Sequence, residues 1–184
     1  MKGRKLIIYT VGHSTRALAE LVEILRAHGV KRLVDVRTIP RSRHNPQFNR
    51  ETLSKALHNR HLSYRHMKSL GGLRDARPDS INTGWRNASF RGFADYMQST
   101  PFAEALEKLL ALAAERPTAI MCAEAVPWRC HRSLIADALT ARGYDVCDIM
   151  SLTSARPHRL SPMAKVHRRL VTYPFDIQGA LPTG

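Results

Sequence analysis

The sequence predicts an α/β fold: a mostly parallel sheet of about five strands flanked by helices, in a single domain over residues 1–184. Three observations carry this. Five short β-prone runs recur, and the first, second and fourth read as strands buried on both faces. Segments with apolar residues at three- and four-residue spacing, the period of a helix with one buried face, separate most of these runs. Near the start, strand, helix and strand follow within about 30 residues, a βαβ unit that implies parallel pairing and a right-handed crossover.

Leu6–Val11 (LIIYTV) is the first strand and ends at Gly12-His13-Ser14-Thr15, where a Ser or Thr is expected to cap the following helix. That helix shows Leu18, Leu21, Val22 and Leu25 on one face and stops at Gly29. Arg32–Arg37 (RLVDVR) is the second strand. Residues 38–61 are polar, basic and broken by Pro40 and Pro46, with room for a helix over Asn49–His58. Leu62–Met67 reads as the third strand. Residues 69–91 are rich in Gly, Arg and Asp around Trp85 and give no period; so long a connection is usually functional or holds elements that periodicity does not reveal. Regularity returns over Gly92–Met97 and in a helix over Pro101–Glu115, striped by Leu106, Leu109, Leu110 and Ala113. Thr118–Cys122 is the fourth strand, a loop leads to a helix over Cys130–Arg142 ended by Gly143, and Tyr144–Met150 is the fifth strand. The tail, 151–184, is basic and punctuated by Pro, with a helix expected over Pro162–Val171 and extended chain over Leu170–Tyr173. No repeat or linker marks a second domain.

No stretch approaches the roughly 18 apolar residues of a membrane span, so no membrane partner is expected. The start, MKGRKLIIYTVGHS, lacks the form of a signal peptide, and a cytoplasmic location is expected. Three cysteines cannot make a full disulfide framework; in that compartment catalytic, metal-bound or buried roles are commoner. Twenty-nine Lys and Arg against fifteen Asp and Glu leave +14, a balance that attracts polyanions by releasing their counterions. Nucleic acid or a phosphorylated small molecule is therefore the expected partner class; a general solubility adaptation is the bland alternative. The oligomeric state is not legible.

In open α/β sheets ligands sit outside the carboxyl ends of the strands. Those ends carry His13 and Ser14, then Asp35, Arg37 and Arg41, then His66, then Cys122 and Glu124. The densest stretch is Cys122–Ser133, where a thiol, a carboxylate two residues on, and a Cys130-His131-Arg132-Ser133 helix start lie close together. Free N–H groups and the dipole at a helix start bind anions and favour a cysteine thiolate. Arg129 and Arg132 suit bidentate contacts to phosphate or carboxylate.

Three uses compete. Cys122 or Cys130 is a nucleophile with His13, His66 or His131 as base. Or Cys122, Cys130 and His131 hold zinc or iron, although Cys-x7-Cys-His matches no usual zinc spacing. Or the cysteines form a redox pair without the C-x-x-C spacing. The structural alternative is that Cys122 packs as a small hydrophobe beside a Glu124–Arg132 ion pair, since free Cys is among the most buried residue types. Cys147 is assigned to the core. Asp35 in a buried strand must be paired, with Arg37 the nearest candidate. Gly71-Gly72 reads as a turn first and a ligand contact second, and Trp85, Phe90 and Tyr96 read as core before base-stacking platforms.

Taken in order, Thr10-Val11-Gly12-His13-Ser14, Asp35-Val36-Arg37 with Pro40 and Ser42, Leu70-Gly71-Gly72, Phe93–Met97 and Cys122-x-Glu124 followed by Cys130-His131-Arg132 resemble the DUF488 family from about residue 6 to about 175. The resemblance implies a fold and a set of site residues, not a reaction. The strand, Cys122, loop, Arg-bearing helix and following strand are also similar in architecture to rhodaneses and cysteine phosphatases, but the position those families give to arginine is here Trp128. The expected function is thus an enzyme acting on an anionic substrate through Cys122, Glu124, Cys130, His131 and His13. Ser14, Asp35, Arg37, Arg41, Arg129 and Arg132 are the expected anion-binding set. A non-catalytic nucleic-acid-binding module with structural cysteines and a metal-binding regulatory protein are the alternatives.

Overall fold

The computed structural model describes residues 6–175. The basic start at 1–5 and the last part of the tail, 176–184, lie outside the described residues, and the expectations for them lie there too. Five strands run parallel: β1 (Ile7–Gly12), β2 (Arg32–Asp35), β3 (Ser63–His66), β4 (Thr118–Cys122) and β5 (Asp145–Ile149). A sixth, β6 (Ala155–Pro157), pairs antiparallel with β5, giving the order β3-β2-β4-β1-β5-β6. The helices are α1 (Leu18–Ala27), α2 (Arg50–His58), α3 (Ala88–Tyr96), α4 (Thr100–Glu115) and α5 (Arg132–Ala141).

Strand pleating sends alternate side chains to opposite faces, and the central strands fill two cores in this way. Leu33, Ala119 and Met121 pack with Leu21, Leu25, Leu53 and Leu57, so α1 and α2 cover one face. Val34, Ile120 and Cys122 pack with Phe93, Phe102, Leu106 and Leu134, so α3, α4 and α5 cover the other. Consecutive apolar residues, Leu33-Val34 in β2 and Ala119–Cys122 in β4, are thus what a two-sided burial needs. The same pleat assigns Cys122, at the end of β4, to the α5 side. Among the described residues no helix is long and apolar enough to cross a membrane.

Three expectations require correction, and one question the sequence left open is answered. The cap of α1 is Ala17 with no side-chain hydrogen bond; Ser14 instead sits at φ 51° and gives its N–H to the Ala123 carbonyl. The tail forms no helix over 162–171. Lys165–His167 (β7) and Leu170–Thr172 (β8) make an antiparallel hairpin, so only the extended part of that expectation holds. Cys147 is only partly buried on β5 and stands at the border of the core. Finally, the aperiodic stretch 69–91 is an ordered connection. Asp95 of α3 accepts bonds from the Arg77 N–H, Ser80 and Asn82, and Asn82 in turn takes the N–H of Tyr173 just after β8. The Trp85 and Phe90 rings pack 4.8 Å apart against the α5-side core, as expected of core aromatics.

Candidate active site

The carboxyl ends of β1, β2 and β4 meet at the centre of the sheet. Register sets Gly12 beside Cys122 and Asp35 beside Met121, and the N–H groups of His13 and Val36 continue the pairing to the carbonyls of Cys122 and Met121. The approach is close enough that a Cβ on Gly12 would collide with the Glu124 backbone, which explains a glycine at the end of an otherwise apolar strand. Beside this junction lies a cleft of about 300 Å³ bounded by His13, Arg37, Arg41, Glu124, His131 and both cysteines.

Cys122 and Cys130 face each other across the start of α5 with their sulfurs in contact. Their Cα atoms stand 7.4 Å apart, slightly more than the roughly 4–7 Å that disulfides span. The structure joins the two as a disulfide, and thiol and thiolate chemistry belongs to the reduced pair. The two sulfurs have different surroundings. Cys122 accepts from Nη1 of Arg132 at 2.8 Å. Cys130 receives the Arg132 backbone N–H at 3.5 Å and lies 3.6 Å from Nδ1 of His131.

Arg132 is fully buried, and burial pushes its pKa down to about 10. Nη1 also donates to the Glu124 carbonyl and Nη2 to the Ala125 carbonyl, while Nε has no partner among the described residues. Among the described residues no carboxylate hydrogen-bonds to it, although the charges of Asp148 and Glu124 act on it from further away. A buried cation favours an anion beside it, and the ionisable side chain in hydrogen-bond contact with this one is Cys122. Once the pair is reduced, the contact favours the thiolate form of Cys122. The expected Glu124–Arg132 ion pair does not form, because Arg132 binds the Glu124 main chain and leaves the carboxylate exposed. Nor is Arg132 a surface anion clamp, since its side chain is fully buried. Trans peptides turn the N–H of Ala125 and Val126 away from the carbonyls that Arg132 holds.

The two histidines differ in what they can do. In His131, Nε2 lies 3.0 Å from the carbonyls of Val36 and Leu70. Carbonyls only accept, so Nε2 carries the hydrogen and Nδ1 presents a lone pair to Cys130. Burial holds the His131 pKa down at about 4, so the ring is neutral at pH 7. In His13, Nδ1 donates to the Ser14 carbonyl at 2.7 Å and Nε2 accepts from Arg37 at 3.3 Å. Burial, with the Arg37 charge, pushes its pKa to about 4. Both ring nitrogens of His13, the expected base, are thus engaged, and the ring stacks on Phe48 at 4.2 Å. In His66, Nε2 donates to the Arg37 carbonyl at 2.8 Å, and the side chain does not line the cleft.

Asp35 is fully buried and holds Arg37 through both oxygens, at 2.9 and 2.6 Å, while the Tyr64 hydroxyl adds a bond of 2.7 Å. Asp35 is thus a support under Arg37, not an anion ligand. Arg37 gives further bonds to the Phe48 carbonyl and His13, leaving one of its five N–H groups, on Nη1, for the cleft. Arg41 is exposed at the mouth and makes no hydrogen bond or ion pair among the described residues. Ser14 and Arg129 do not line the cleft, and Arg129 sits exposed on the turn Pro127–Arg129. The structure therefore joins Cys122, Glu124, Cys130, His131, His13, Arg37 and Arg41 at one cleft. It puts Asp35 and Arg132 beneath it and Ser14 and Arg129 beside it.

Sequence reading missed Thr38, which lines the cleft with Oγ1 accepting the Leu73 N–H; it follows β2 by a few residues, so the strand-end rule could have included it. Gly72, read as a turn first and a ligand contact second, lines the same wall, where a Cβ would meet the His131 ring at 2.5 Å. Among the described residues no group of three or more His, Cys, Asp or Glu is placed to hold a metal ion. The expected Cys122, Cys130 and His131 set fails because the sulfurs face each other and Nε2 is turned to carbonyls. A larger cleft of about 690 Å³, bordered by Trp85, Trp128, Arg156 and His158, contains no cysteine; the smaller one holds the reactive groups and is preferred on chemistry.

A family model described as a domain of unknown function, DUF488, matches residues 17–139. Among curated proteins and among solved structures nothing matches.

Proposed function

Because the chain belongs to the DUF488 family, a domain of unknown function, the reaction has to be read from the site, and we propose a cysteine-dependent enzyme acting on a small anionic substrate, with Cys122 as the nucleophile. One observation carries this reading: the buried Arg132 guanidinium, touching no carboxylate, is 2.8 Å from the Cys122 sulfur. A thiolate attacks where a thiol does not. Anion preference is supported by the unspent Arg37 N–H and by Arg41 at the mouth of the cleft. Glu124, exposed at the same mouth, is placed to exchange a proton with a leaving group.

Two alkylating probes of opposite character test this. Iodoacetate is anionic and iodoacetamide neutral, and each reacts with thiolates. The ratio of their rates at Cys122, divided by the same ratio for free cysteine, should exceed one by about tenfold, as befits one to two charge-assisted contacts of about 1–2 kcal/mol. It should fall toward one in Arg41→Ala. A ratio equal to that of free cysteine overturns anion selection.

The net charge of +14 supports a second reading, a non-catalytic nucleic-acid-binding module. It predicts affinity for nucleic acid that falls steeply with salt and is unchanged in Cys122→Ala.

A further inference from the structure

Building on the Cys122 nucleophile, we infer that Cys130 is its resolving partner, so that the site runs thiol–disulfide exchange on an anionic disulfide, with a small thiol of the glutathione class as the second reactant. The nucleophile reading alone leaves Cys130 and His131 without a task. Yet the Cys130 sulfur touches that of Cys122, and His131 offers Nδ1 to Cys130, a tautomer fixed by two carbonyls on Nε2. Gly72 against the ring and Phe93 at 5.1 Å hold that imidazole in place. Such construction is superfluous around a buried structural cysteine.

In the first step the Cys122 thiolate attacks one sulfur of R–S–S–R′. A bond forms to R–S, the S–S bond breaks, and R′–S⁻ leaves with the electron pair. Next, Cys130 passes its proton through His131 Nδ1 to the departing sulfur and attacks the Cys122 sulfur. R–S leaves, and the Cys122–Cys130 disulfide remains: the substrate disulfide has been reduced and the dithiol oxidised. A first small thiolate then attacks the Cys130 sulfur, so that Cys122 departs as a thiolate onto Arg132. The second small thiol displaces Cys130, regenerating the dithiol and releasing the oxidised small disulfide. Two thiols are consumed for each disulfide reduced. A low leaving-group pKa speeds departure, which gives Arg132 a part in both halves of the cycle.

Oxidised glutathione, an anionic disulfide, is the probe, with each product read by intact mass and peptide mapping. Reduced wild-type protein should lose two hydrogens at Cys122 and Cys130 and accumulate no adduct. Cys130→Ser should instead accumulate one glutathione on Cys122, and Cys122→Ser should react at its remaining Cys130 at least about tenfold more slowly. Cys147 reports background reactivity in every sample. If the wild type accumulates the same stable adduct as Cys130→Ser, or never forms the internal bond, the pairing is wrong. The iodoacetate ratio at Cys122 is read separately in Cys130→Ser. An anion-selective Cys122 without an internal disulfide refutes the resolving role alone, whereas an unreactive Cys122 refutes the nucleophile on which it rests.

Discussion

His158 should make the stability of this protein fall between neutral and alkaline pH. Its imidazole is sandwiched between two carboxylates, with Nε2 2.8 Å from Asp137 and Nδ1 2.9 Å from Asp148. Burial disfavours the charged ring, but the hydrogen bonds and charges of Asp137 and Asp148 outweigh it and raise the pKa from 6.5 to about 9. The carboxylates are themselves anchored, Asp137 by the Tyr173 hydroxyl and Asp148 by Thr10. A group whose pKa is higher folded than unfolded binds its proton more tightly in the native state. Its contribution is therefore complete below pH 6.5 and is lost as pH rises through about 9. A shift of that size corresponds to about 3 kcal/mol, lost at about 1.4 kcal/mol per pH unit. With a urea slope of about 2 kcal/mol/M, the midpoint should drop by about 1.5 M across that interval. Burial also raises the Cys147 thiol and adds its own alkaline dependence, so the informative quantity is the difference between wild type and His158→Gln, measured by urea unfolding from pH 6 to 9. That difference should be largest at pH 6 and shrink steadily. A difference independent of pH would show that His158 is not charged in the folded protein and would refute the reasoning.

The acid side should mirror this: His13 and His131, held at about 4 by burial, stay neutral in the folded chain while the unfolded chain protonates, so stability falls as pH drops from 6.5 toward 4. Imidazole NMR shifts should show both rings titrating near 4, and midpoints near 6.5 would contradict their burial. Removing the carboxylate under the cleft, Asp35→Ala, strands the 7 % exposed Arg37 and should cost about 3–5 kcal/mol in urea unfolding. The double substitution Asp35→Leu with Arg37→Met should recover most of it, since the cost lies in the uncompensated charge. Gly72→Ala brings a methyl to 2.5 Å from His131 Nδ1; about 1–3 kcal/mol should be lost, and internal disulfide formation should slow more than Cys122 alkylation. Equal slowing of both would place His131 outside the Cys130 step.

How far the sequence foretold this structure differs by region. All five parallel strands were legible, the central ones most clearly because burial on both faces makes Leu6–Val11 or Thr118–Cys122 apolar at nearly every position. The β7–β8 hairpin was not, because its two-residue turn is Arg168-Arg169 at φ 46° and 72°. Such turns ordinarily announce themselves with Asn-Gly or Gly. β6 was hidden by being three exposed residues ending in Pro157, a composition that fits only an edge. At the site, the strand-end rule found Cys122, His13, Arg37 and the Cys130-His131-Arg132 helix start. It could not tell which groups face the cleft. Arg132 follows His131 by one residue, yet one is a buried donor to sulfur and the other a wall of the cavity. The Asp137–His158–Asp148 cluster escaped notice because its members come from a helix, a strand and the tail. Asp137, polar on a helix, reads as an outward residue although it is 1 % exposed.

The central claim, that Arg132 keeps Cys122 as a thiolate, is tested most directly by the pH dependence of iodoacetamide alkylation at Cys122 in native Cys130→Ser protein, read by peptide mass mapping. The rate should already be at its plateau at pH 7, with its midpoint below neutrality, while Cys147 in the same sample follows an alkaline midpoint. A Cys122 rate that rises through about pH 8.5, as for an ordinary thiol, or a Cys122 that stays unmodified until the protein unfolds, would contradict it.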